Sequence, residues 1–363
     1  MTNRLVFENL RHRPVRTLIG IVVIGIQVTL VLTLVGLREG TLSDQATRAS
    51  GVGADIIVRP PSSSVITMSA SMPARIVAKL DGQPHVKLST GVLQQGTDLF
   101  NYVTGVDLAQ FDKLSGGFHF VSGGPFQGPD DVMIDEFYAR QNKLQVGGTL
   151  NKLNRPWHVS GIYKPGMLTR MVVPLATLQD LTANTDKVSW VYVKLDDPSR
   201  TDQVVSQLRN ALKDYRIYSM EEFTSLFSVS NIPMLQGFIW VVIGLGVVVG
   251  FLAVLLSMYT AVLERTREIG VLKALGASPG YILNILLREA ALLAVAGSFL
   301  GILLSYGTRW LIQNVLPASL IQAIVPRWWP IAAAIAIAGA LLGALGPGLK
   351  AARQDPIEAL AYD

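Results

Sequence analysis

Of the side chains that carry most enzyme chemistry, this sequence holds few, and their spacing brings none into a known constellation. Cysteine is absent, which excludes disulfide scaffolds, cysteine-containing zinc sites and thiol nucleophiles. The four histidines, His12, His85, His119 and His158, are scattered, and none belongs to an H-E-x-x-H or similar metal-binding run. A phosphate-cradling loop needs G-x-x-x-x-G-K-[ST], so that backbone N–H groups can wrap the phosphates. Gly346-Pro347-Gly348-Leu349-Lys350 lacks both the spacing and the following hydroxyl residue. Gly297-Ser298-Phe299-Leu300-Gly301 is not a G-x-S-x-G elbow and falls inside an apolar run. The sequence therefore predicts no catalytic residue, no directly bound cofactor and no metal site.

One stretch has instead the charge and spacing of a contact element: Glu264-Arg265-Thr266-Arg267-Glu268-Ile269-Gly270-Val271-Leu272-Lys273-Ala274-Leu275-Gly276-Ala277-Ser278. It is helix-compatible as far as Gly276, which reads as a helix stop. Ile269, Leu272 and Lys273 share a face at i, i+3, i+4, flanked by Glu268 and Leu275. Two readings fit these residues equally. Such a helix, tied rigidly at both ends to membrane spans, is what receives a push from a cytoplasmic machine. It is also what an ordinary hairpin connector looks like, with charges that serve only as topology signals.

The elements that hold this stretch follow from composition. Half of the 363 residues are apolar, 16% are charged and the mean hydropathy is +0.39, whereas a soluble globule carries about a quarter charged residues. The net charge of +5 belongs with cytoplasmic loops rather than with nucleic acid. Four apolar runs predict membrane helices at 17–37, 238–258, 290–307 and 329–346; a helix of about 20 residues spans a hydrocarbon core of about 30 Å. The first run is too long for a signal peptide and ends in no small-x-small site, so it reads as a retained anchor. Trp328-Trp329-Pro330 suits an interfacial opening of the fourth. Basic residues crowd before the first span (Arg4, Arg11, Arg13, Arg16), between the second and third (Arg265, Arg267, Lys273, Arg288) and after the fourth (Lys350, Arg353). By the positive-inside rule both termini are cytoplasmic. Gly246-x-x-x-Gly250, Gly297-x-x-x-Gly301 and Gly339-x-x-x-Gly343 have the spacing of close helix approach, either within the bundle or at a subunit interface.

Residues 38–233 form a polar, Gly- and Pro-punctuated segment long enough for its own core. It reads as mixed α and β: strands at Asp55–Val58, Trp157–Tyr163 and Val188–Leu195, helices at Pro73–Leu80 and Thr201–Leu212, loops at Ser62–Met72 and Ser115–Asp131. Ser62–Met72 is the one candidate contact loop. The fold class is thus an α-helical membrane protein with four transmembrane helices plus a mixed α+β extracytoplasmic domain between helices 1 and 2. A short amphipathic helix (1–16, with Val6, Phe7 and Leu10 on one side) precedes the first span, and a loop (259–288) joins the second and third. A tail (347–363) carries a capping box at Asp355-Pro356-Ile357-Glu358.

The run Arg-Glu-Ile-Gly-Val-Leu-Lys-Ala-Leu-Gly-Ala-Ser resembles the hallmark of FtsX-like permeases of ABC transporters, the MacB and LolC/LolE superfamily. Asn9-Leu10 through Arg16-Thr17-Leu18 is similar to the family's approach to span one, and Glu289 with Gly297 and Gly301 to its third span. Pro347, Ala351-Ala352 and Asp355–Leu360 resemble its tail. Asp131–Ile134, Gly147–Leu150, Val159–Ile162 and Val173–Leu175 resemble landmarks of its outer domain. One departure is the lack of a basic residue after Leu360.

The resemblance implies an inner-membrane permease with its large domain periplasmic or extracellular. It implies a second permease copy, contact with lipid but not with nucleic acid, and a separate ABC ATPase that holds ATP and Mg. A periplasmic adaptor and outer-membrane duct belong to some such systems. Glu264, Arg267, Glu268 and Lys273 would contact the ATPase, Ile269 and Leu272 would fill its groove, and Gly270 and Gly276 would permit close approach and the helix stop. The implied function is mechanotransmission, in which ATPase closure moves the outer domain to export or extract a hydrophobic or amphipathic substrate. Alternatives are a regulator that acts on a cell-wall hydrolase or sensor kinase without transport, and a structural anchor.

Overall fold

The computed structural model describes residue 11 and residues 14–61, 70–97, 101–226, 233–315 and 320–354. In chain order these form α1 (Pro14–Ser50), β1 (Ile56–Arg59), β2 (Met72–Pro73), α2 (Ile76–Asp81), β3 (Val86–Gly96), β4 (Tyr102–Val106), α3 (Leu108–Ser115) and β5 (Phe120–Gly123). Next come β6 (Asp131–Asp135), α4 (Glu136–Asn142), β7 (Thr149–Lys152), β8 (Arg155–Tyr163), β9 (Met171–Pro174), α5 (Leu175–Leu181), β10 (Lys187–Val188) and β11 (Trp190–Leu195). The chain closes with α6 (Thr201–Ala211), β12 (Arg216–Ser219), α7 (Met220–Ser225), α8 (Pro233–Glu264), α9 (Thr266–Ala274), α10 (Pro279–Val315) and α11 (Trp328–Arg353). Two compact units divide it: Met1–Glu39, Pro233–Leu311 and Gln322–Asp363 form one, and Gly40–Ile232 with Ile312–Ile321 the other.

In the first unit, helices in α1, α8, α10 and α11 are long and apolar enough to cross a membrane, each where an uncharged run predicts one. The helices outrun the apolar stretches. α1 continues from Leu37 to Ser50, because no proline stops it and its last turns bury Leu42 and Ala49 in the outer core. α8 extends to Glu264 and α10 begins at Pro279, so the connection is shorter than 259–288. α11 runs through Pro347 to Arg353, beyond the apolar end at Gly346. The capping box at Asp355, the N-terminal residues Val6, Phe7 and Leu10, and residues 62–69 of the contact loop lie outside the described residues.

The small-residue motifs pack inside the bundle. A Cβ on Gly297 would stand 2.7 Å from the Ile24 Cβ, and one on Gly301 would stand 2.6 Å from the Val28 Cβ. One on Gly343 would meet the Phe251 carbonyl oxygen at 2.7 Å. α10 therefore lies against α1, and α11 against α8, at a distance that only glycine allows.

The second unit is built on a mixed sheet of order β12-β1-β11-β3-β4-β9-β6-β8-β5, with β7 on the side of β8. β4/β9 and β6/β8 are parallel pairs; a separate ribbon pairs β2 with β10. The predicted strands and helices are present. In β8, Trp157, Val159, Gly161 and Tyr163 are buried in alternation, the period of a strand with one covered face. The predicted loop 115–131 instead contains β5, whose Phe120–Gly123 joins the sheet edge at β8 through an irregular register. Its Ser, Gly and exposed side chains give no alternation to read. Local chemistry fixes the helix starts: Asp107, Asp135 and Ser219 each accept a hydrogen bond from a backbone N–H of the first turn of α3, α4 and α7.

Candidate functional site

The Glu264–Ser278 stretch is two elements rather than one. α8 ends at Glu264, Arg265 leaves helical geometry (φ −114°, ψ 16°), and α9 starts at Thr266. α9 then stops as the sequence predicts. Gly276 takes φ +95°, its N–H bonds the Lys273 carbonyl at 2.9 Å, and the Ala277 N–H bonds the Leu272 carbonyl at 3.0 Å. This pair of bonds is a Schellman ending, and its left-handed residue favours glycine.

The predicted shared face exists but looks inward. Ile269, 7% exposed, packs with Val262, Ile282, Leu286 and Ala351, and Gly270 is likewise a buried residue of α9. Leu272 and Lys273 are half-buried. The Lys273 ammonium donates to the Ala352 carbonyl at 2.9 Å and to the Gln354 carbonyl, where a cation meets the negative end of α11. Within this chain, then, Ile269 and Gly270 are covered by the chain's own core and Lys273 is held at the end of α11. Periodicity identifies a face but not which way it turns. The outward side of the stretch carries Glu264, Arg267 and Glu268, together with Val271 at 45% and Leu275 at 81% exposure. Leu275 is the most exposed large apolar side chain of the stretch.

Behind this surface lies an ionic cluster that hydropathy reading missed. Glu289 of α10 is 0% exposed. One carboxylate oxygen accepts from Arg265 and the other from Arg16, each at 3.2 Å, and Arg16 also reaches Glu264 at 3.4 Å. The start of α1, the end of α8, the α8–α9 bend and α10 are thereby tied together. The signal was present: a carboxylate within a membrane helix needs a cationic partner, and the nearby arginines read only as topology signals.

The outer unit has a second buried group. Asp135, 0% exposed, accepts from Arg170 at 2.7 Å and from Arg48 at 3.2 Å, while Asp44 accepts from Arg48 at 2.7 Å and Arg170 at 3.3 Å. Burial lowers the Arg170 pKa from its ordinary value and neighbouring Arg48 adds to the fall, against the pull of Asp135 and Asp44. No group of three or more metal-ligating side chains occurs among the described residues.

Residues 17–211 match the MacB-like periplasmic core domain, and residues 240–356 the FtsX-like permease C-terminal region. The chain is 27% identical over 389 residues to the macrolide export ATP-binding/permease protein MacB of Escherichia coli, covering 97% of this chain and 59% of that one. It is also 27% identical over 398 residues to the pyoverdine export ATP-binding/permease protein PvdT of Pseudomonas syringae pv. syringae, covering 97% and 57%. It therefore spans less than two thirds of the length of these relatives. The periplasmic region of MacB from Actinobacillus actinomycetemcomitans superposes with a TM-score of 0.37 at 16% identity, covering 47% of this chain and 92% of that one. With its membrane helices, its inserted α/β domain and both matched regions in this order, the chain belongs to the MacB-type, FtsX-like family of ABC-transporter permeases.

Proposed function

We propose that this chain is the permease of an ABC export complex. A separate cytoplasmic ATPase, holding ATP and Mg, docks on the exposed face formed by Glu264, Arg267, Glu268, Val271 and Leu275. The observation that carries the reading is the two-sided nature of α9. Its outer side presents charges around an exposed leucine, while its inner side is locked to α11 through Lys273 and to the bundle through Ile269. A displacement of the outer side therefore has no slack to cross before the membrane helices move. Gly276 ends the helix so that Leu275 stands at its tip, with Leu272 half-buried one turn before it.

In this reading both termini are cytoplasmic, the chain sits in the inner membrane and the α/β domain is periplasmic or extracellular. Two permease copies work as a dimer, and an adaptor and outer-membrane duct continue the path where an outer membrane exists. The substrate is hydrophobic or amphipathic, in keeping with relatives named for macrolide and pyoverdine export.

Leu275→Asp tests the assignment without touching the core. Burial of one leucine is worth about 1.5–3 kcal/mol, so permease-stimulated ATP hydrolysis in reconstituted vesicles should fall about tenfold or more, with insertion and unfolding temperature unchanged. Full stimulation in both Leu275→Asp and Arg267→Glu would sink it.

A further inference from the structure

The second unit contains a cleft that the export reading does not use. Its floor is one face of the sheet. Ile57 of β1 lies opposite Tyr192 of β11, Trp190 opposite Val92 of β3, and Gln94 opposite Thr104 of β4. With period-2 alternation, Arg59, Trp190, Tyr192, Gln94 and Thr104 all point to the same side. A closed sandwich would place apolar residues in such a row. Here a cleft of about 130 Å³ opens over it, walled by Arg48 of α1 and Phe223 of α7. That is roughly the volume that admits a single six-membered ring.

Its chemistry is specific. Gln94 is 7% exposed, yet its side-chain oxygen has no hydrogen-bond partner within the protein. The buried Trp190 indole N–H likewise closes no hydrogen bond of acceptable geometry. It does exert a pull on the Tyr192 phenol, whose pKa burial pushes up to about 12 against that pull and the charge of Arg59. The Arg59 guanidinium is 4% exposed and lies 5.8 Å from the centre of the Trp190 ring and 5.5 Å from that of Phe223. A buried polar atom without a protein partner is costly, and Gln94, which carries one, lines the same small aromatic cleft as Trp190, whose N–H only the Tyr192 phenol engages.

We infer that this cleft is a binding site for an amide group carried on a compact apolar or aromatic body. The amide N–H donates to the Gln94 oxygen, its carbonyl accepts from the Trp190 N–H within reach of the Arg59 charge, and the rings of Trp190 and Phe223 enclose the apolar part. A carboxylate satisfies the donors but leaves Gln94 unmet; a hydrocarbon satisfies neither. The inference goes beyond the export reading and does not depend on ATPase coupling.

The test is calorimetric titration of the full chain in lipid nanodiscs with benzamide, benzoate and ethylbenzene. Saturable benzamide binding at least about tenfold tighter than that of the other two supports the site. Gln94→Met should weaken benzamide about tenfold with no fall in unfolding temperature, because its oxygen has no protein partner to lose. Trp190→Phe, which keeps a ring and removes the donor, should weaken it similarly. The inference is overturned by absent saturable binding, by ethylbenzene or benzoate binding as well as benzamide, or by unchanged benzamide affinity in both variants.

Discussion

Replacing Asp135 with alanine should lower the unfolding temperature of the α/β domain by about 10 °C, from a loss of about 3–5 kcal/mol. Asp135 lies between two arginines that are themselves 10% and 5% exposed at the side chain. Without it, Arg48 and Arg170 share only Asp44 inside a low-dielectric interior, and an uncompensated buried charge is among the most damaging lesions a domain can carry. The same residue caps α4 by accepting from the Tyr138 N–H at 2.7 Å, so the helix start is lost as well. Asp135→Asn keeps a capping oxygen and should fall in between. Calorimetry on the purified full chain reads both; an alanine variant that melts within 2 °C of wild type refutes the account.

Glu289→Ala is expected to be comparably severe in the other unit, for a reason with functional weight. The carboxylate is the common partner of Arg16 and Arg265. Its loss brings two cations together where α1, α8 and α10 meet, at about 3–5 kcal/mol. Detergent-solubilised protein should unfold earlier, and permease-stimulated ATP hydrolysis should be lost with it. The double variant Glu289→Met, Arg265→Met removes the central pair rather than breaking it. It should recover much of the stability, since apolar replacement of a buried ion pair is often neutral or better. A single variant with wild-type unfolding would show that the cluster is incidental.

The sequence reading reached the parts of this molecule that obey a local period. Uncharged runs of about 20 residues marked the membrane helices, alternation marked β8 and β11, and an apolar run closed by Pro60-Pro61 marked β1. Gly276 marked the end of α9, because a left-handed residue has few alternatives. What remained hidden depends on partners far along the chain. Nothing near Ile269 says that Ala351 will cover it. Glu289 interrupts an apolar run as a mere charge until Arg16, 273 residues earlier, comes beside it. The polar row under the cleft is set by the register of β1, β11, β3 and β4, which no single strand contains. β5 was lost for a different reason: an edge strand with exposed residues need not alternate.

The continuity of α1 has a practical side. A soluble form of the outer domain would naturally be cut where the apolar run ends or where the sheet begins, yet the helix has no joint between Leu37 and Ser50. Asp44 and Arg48 sit on those turns, and their partners Asp135 and Arg170 lie 87 and 126 residues further along. A fragment that starts at Gly51 discards half of a buried charge balance and one wall of the cleft, and should be insoluble or molten. One that starts at Gly40 retains both. For anyone isolating this domain, its first residues belong to what looks like the membrane anchor.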